Sequence, residues 1–109
     1  NRECKFMDWY CAVWNSDKVN NDMGAQILYE KLCRGDNELV SESVRLEEFY
    51  EEVSAKSYMV KAEKGNGFII LSCEFNDAEV VSDLIQGIAK KYKLSFYDPQ
   101  NIYYINFEK

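Results

Sequence analysis

The stretch from Asn76 to Phe107 constrains the fold most, because it joins an amphipathic helix directly to a strand-like tail. Asn76 is placed to cap the helix, and Glu79 stands three residues on, where a side chain reaches back to the cap. Apolar residues then recur at Ala78, Val81, Leu84, Ile85, Ile88, Ala89 and Tyr92, one face of a 3.6-residue period. Lys90, Lys91 and Lys93 follow in the last turn, where cations complement the helix dipole. A helix of this kind needs a sheet or a second helix to cover its stripe. The tail from Leu94 to Gln100 and the β-rich run from Ile102 to Phe107 supply part of that sheet.

The rest of the chain supplies the other layers. Asp8 to Trp14 is aromatic, β-prone and continuously apolar, as in a buried strand. After a polar turn, a helix runs roughly from Asp22 to Cys33, with Met23, Ile27, Leu28 and Leu32 as its buried face and Gly35 just past its end. Leu39 to Ser57 holds a second helix, capped at Ser43, with Leu46, Phe49, Tyr50 and Val53 inward and Glu42, Glu47, Glu48, Glu51 and Glu52 on the other side. Tyr58–Ala62 and Phe68–Phe75 read as strands joined through Asn66-Gly67, a strong hairpin signal because both residues accept positive φ. The order is β-α-α-β-β-α-β. With the two helices after the first strand taken as one crossover, it fits an α+β, ferredoxin-like (split βαβ) domain. That plan has a four-stranded antiparallel sheet, helices packed on one face, and the first strand beside Phe68–Phe75 at the centre.

At 109 residues the chain is one domain, residues 1–109, with Met7 a candidate start and residues 1–6 an extension. A hydrophobic content of 47% is enough for a core without disulfides. Cys4, Cys11, Cys33 and Cys73 are scattered with no C-x-x-C, which reads as buried thiols rather than a metal site. Histidine is absent, which removes the commonest general base, the His-activated nucleophiles and His-ligated metals. No phosphate-cradling glycine motif occurs, so no cofactor is expected. The carboxylates fall on helix faces expected to be exposed, where burial cannot tune their pKa for acid–base work, so an enzyme is not expected. No apolar run is long enough to span a bilayer, and a cytoplasmic location is expected.

Formal net charge is −6, with a pI near 4.7, which disfavours nucleic acid as a direct ligand and favours a basic protein. The charge is uneven. Residues 36–83 carry twelve acids against four bases, and the remainder is net positive by two. On the second helix, Glu47 and Glu51 lie one turn apart, as do Glu48 and Glu52. Asp77, Glu79 and Asp83 form a second acidic set. Tyr50, Tyr58 and Trp14 are candidate aromatic anchors among them.

The tail carries one further motif. Asp98 before Pro99 is held extended, proline lacks a ladder donor, and the aspartate can close an Asx-turn, so Tyr97-Asp98-Pro99-Gln100 reads as a turn, bulge or edge. The spacing of Tyr10 and Trp14, Lys91-Tyr92-Lys93-Leu94, and Tyr97-Asp98-Pro99-Gln100 resembles a family of small bacterial immunity proteins of polymorphic and contact-dependent toxin systems. The glycine common before that leucine is Lys93 here, and the usual histidine is Tyr92. The resemblance implies a protein that binds and neutralises a secreted toxin. Because nuclease toxins tend to be basic, the acidic chain adds the expectation of a nuclease partner, contacted through Glu47, Glu48, Glu51, Glu52, Asp77, Glu79, Asp83, Tyr50, Tyr58 and Trp14. Two alternatives stay open: a self-associating domain pairing through Ile102–Ile105, possible as a homodimer, and a small-ligand regulatory module.

Overall fold

A computed structural model describes residues 8–108; Cys4 and the candidate start at Met7 lie outside the described residues. The chain runs β1 (Asp8–Trp14), α1 (Asp22–Cys33), α2 (Val44–Lys56), β2 (Lys61–Gly65), β3 (Phe68–Glu74), a 3₁₀ turn (Phe75–Asp77), α3 (Ala78–Lys91), β4 (Ser95–Asp98) and β5 (Tyr103–Asn106). The sheet is antiparallel throughout, in the order β2-β3-β1-β4-β5. It therefore has five strands, not four, and the chain ends in two strands rather than one. The strand-like tail does join the sheet, but its Ser95–Asp98 segment does not read as a strand of its own, because it is only four residues long and buried on both faces, so it shows no alternation. The Asp98-Pro99 turn then sends β5 back along β4, pairing Phe96 with Ile105 and Tyr97 with Tyr104.

β1 sits mid-sheet beside β3, as expected, with Trp9 opposite Cys73 and Trp14 opposite Phe68. Its side chains alternate between two separate cores. Trp9, Cys11 and Val13 join Ile69, Leu71 and Phe96 beneath α2 and α3, which contribute Leu46, Phe49, Val53, Val81, Ile85 and Ile88. Ala12 and Trp14 join Ile70 and Tyr97 beneath α1, which contributes Ala25, Leu28 and Leu32. The expectation of helices on one face is thus corrected: α1 covers the opposite face. The cause is the continuous apolarity of β1, which leaves both sides of the sheet in need of cover.

Three local details also differ. Met23 and Ile27 are exposed at 73% and 48%, and the buried stripe of α1 is instead Ala25, Leu28 and Leu32. Asn76 does not cap α3: the 3₁₀ turn takes it up, and the residue at the cap, Asp77, makes no side-chain cap bond. The β2 strand begins at Lys61, so Tyr58 lies in the preceding loop. In the hairpin only Gly67 has positive φ, the sign pattern of a type II turn rather than a primed one. Ser43 caps α2 as expected, accepting from Arg45 N at 3.1 Å, while Asn21 caps α1 through Gly24 N at 2.8 Å.

Candidate protein-binding surface

The acidic side chains divide into those used inside the fold and those left to solvent. α2 and α3 lie side by side and antiparallel, since Arg45 of α2 donates to the carbonyls of Tyr92 and Lys93 at the end of α3. Glu52 faces that seam. It accepts from Lys56 Nζ at 2.7 Å, Lys91 Nζ at 2.8 Å and the Tyr92 hydroxyl at 2.6 Å, and its side chain is only 13% exposed. Those three donors, Lys56 foremost, hold its carboxyl at about 2. Glu52 is therefore a tie between helices, and its placement on an open recognition face is corrected. Glu47 pairs with Lys64 at 2.7 Å, and that ammonium also lies 4.8 Å from the ring of half-buried Tyr50. This contact raises the lysine pKa, through the Glu47 hydrogen bond first. Glu48 and Glu51 point away from the buried face and are exposed.

Trp14 is corrected more sharply. It is 0% exposed, packed between Tyr97 and Tyr104 with ring centroids at 6.1 and 6.2 Å. Even-numbered positions of β1 face α1, so this ring is core and cannot anchor a partner. Its indole Nε1 has no acceptor among the described residues.

Six further acids gather where β1 begins, β3 ends and α3 starts. Two clefts flank the 3₁₀ turn there, of about 470 and 460 Å³. Asp8, Glu74 and Asp77 line the first, with Lys61 and Tyr58. Glu79, Asp83 and Asp98 line the second, with Trp9, Phe75, Gln100 and Asn101. Among the described residues, six carboxylates and one ammonium thus line the two clefts. Large rings stand exposed on the linings, Tyr58 at 97% in the first cleft and Phe75 at 55% in the second. Of the residues expected from sequence, Asp77, Glu79, Asp83 and Tyr58 come together here; Glu47, Glu48 and Glu51 lie on the outer side of α2. Asp8, Glu74, Asp98 and Phe75 were not anticipated. The sole signal was the Asx-turn motif at Asp98, because neighbours drawn from strand ends leave no periodic trace.

The far wall of the second cleft is built by that motif. Asp98 is 5% exposed and accepts four hydrogen bonds: Trp9 Nε1 at 3.1 Å, Gln100 N at 2.9 Å, Asn101 N at 3.3 Å and Asn101 Nδ2 at 2.7 Å. Gln100 Oε1 in turn accepts from Tyr10 N at 3.0 Å. A carboxylate so engaged positions the turn and is not open to a partner. Cys11 and Cys73 are buried as expected, and burial raises the Cys11 thiol well above its ordinary value and pushes Cys73 up to about 11, whereas Cys33 is exposed, which corrects its reading as a buried thiol. In comparisons with protein-family models, curated proteins and solved structures, no match was found.

Proposed function

We propose that this chain is an immunity protein that binds and neutralises a basic protein toxin, a secreted nuclease, in the cytoplasm of the cell that makes both. The observation that carries this reading is the gathering of carboxylates, with one ammonium among the described residues, around exposed Tyr58 and Phe75. Rings within an acidic surround give a basic partner both an apolar anchor and a steering field. Such a protein works by covering its partner and transforms nothing. The resemblance through Lys91–Leu94 and Tyr97–Gln100 points the same way. The ferredoxin-like reading is kept for β2-β3-β1-β4 with α2 and α3 as a split βαβ frame, to which α1 and β5 are additions.

The test is co-expression with the toxin domain encoded beside this gene. The chain should protect cells and co-purify with the toxin; absence of both refutes the reading. A second reading, self-association, is favoured by one observation: β5 is an edge strand whose start exposes Ile102 at 60% and Tyr103 at 45%. Light scattering on the purified chain separates the two, a dimer lost on Tyr103→Lys supporting self-association.

A further inference from the structure

The second cleft has a character that the first lacks. Trp9, at 2% exposed, forms its floor together with Ala78, and the Phe75 ring stands at its edge, 55% exposed. Glu79 and Asp83, one helical turn apart on α3, form one rim. Gln100 and Asn101 form the other, fixed in place by Asp98. Among the described residues, no basic side chain lines the groove. A side chain that suits it must be long, apolar along its stem, cationic at its tip, and able to lie flat against a ring.

We propose that this groove seats an arginine-bearing segment of the partner, with the guanidinium against Phe75 and its N–H groups directed to Glu79 and Asp83. Arginine fits better than lysine because a planar, weakly hydrated guanidinium stacks on aromatic faces and donates to carboxylates as a fork. The partner is thus a protein with an exposed arginine segment rather than a diffuse cation. This inference rests on the proposed binding of a basic protein and names where and how that protein is held. Phe75, Glu79 and Asp83 are all on the surface, so substituting them leaves both cores intact.

The experiment titrates the full ¹⁵N-labelled chain with a nona-arginine peptide, then with nona-lysine and a neutral Gly-Ser nonapeptide. Salt is held near 0.15 M, where interactions beyond about 8 Å are screened. Saturable shifts are expected at Phe75–Asp83 and at Gln100 and Asn101, weaker with nona-lysine and absent with the neutral peptide. Phe75→Ala, and separately Glu79→Lys with Asp83→Lys, should each weaken nona-arginine binding about tenfold. Glu48→Lys with Glu51→Lys makes the same charge change on α2 and should weaken it less than about threefold. Equal weakening by both charge-reversed pairs, lysine binding as well as arginine, or shifts spread over α2 would overturn the proposal. No toxin is used here, so failure removes the groove and leaves the immunity reading standing. Failure of co-expression protection by the unaltered chain removes that reading alone.

Discussion

Removing the Asp98 carboxylate should cost about 3 kcal/mol, and the structure says where that cost arises. In Asp98→Ala, the Trp9 indole N–H loses its acceptor at a site where Trp9 is only 2% exposed. An orphaned buried donor costs about 1–3 kcal/mol. The Gln100 and Asn101 amides lie at a surface turn and rehydrate, so their lost bonds add about 1 kcal/mol in all. At this chain length about 1 kcal/mol moves the melting temperature by about 4 °C, so the melt should fall by about 12 °C. Asp98→Asn should cost about 2 kcal/mol, because an amide has one acceptor oxygen for donors that now bond both carboxylate oxygens. Circular-dichroism melts measure both variants. A double-mutant cycle with Trp9→Phe isolates the pair: the double variant should be less destabilised than the sum, by about 1 kcal/mol or more. Strict additivity, or an Asp98→Ala melt within about 2 °C of the parent, refutes this account of the turn.

Further outcomes follow from other sites. The Glu52 carboxyl is held at about 2 against an ordinary 4.5, so its contribution to stability is whole above about pH 5 and is lost as pH falls toward 2. Glu52→Gln should therefore flatten the acid limb of a urea-denaturation series across that window. Lys93 ends α3 with φ +57, the left-handed conformation that favours glycine, so Lys93→Gly should stabilise the chain by about 1 kcal/mol in the same assay. Gly67→Ala meets positive φ together with a Cβ 2.7 Å from the Ser41 amide nitrogen, and should cost more than Gly35→Ala, where the same φ opens onto empty space. Tyr58→Ala, at a residue 97% exposed, should leave the melt unchanged within about 0.5 kcal/mol, which makes it a clean probe of partner binding.

Much of the frame was legible because local chemistry and tertiary demand agree there. Asp22–Cys33 and the α2 stripe of Leu46, Phe49 and Val53 follow the helical period, and Ser43 caps as its type requires. The pairing of β1 with β3 follows from two continuously apolar runs that each need burial on both faces. Lys93 shows the limit of local reading. Its left-handed backbone is held by the turn that closes α3, where Leu94 N bonds Ala89 O at 2.9 Å, although lysine has no preference for that conformation. Met23 and Ile27 were misread because period alone cannot say which flank of an apolar stripe meets the sheet.

The candidate surface was less legible for a related reason. Composition and charge placement alone mark an acidic chain with its carboxylates concentrated between residues 36 and 83. Which of those carboxylates are spent and which stay free was decided by packing. Antiparallel docking of α2 on α3 delivers Lys91 and Tyr92 to Glu52, and the hairpin delivers Lys64 to Glu47. The same packing brings Asp8, Glu74 and Asp98 to one end from three different strands and turns Trp14 inward. Periodicity carries the short-range information, two or four residues apart. Neighbours separated by some ninety residues, such as Trp9 and Asp98, exist only once the sheet has closed.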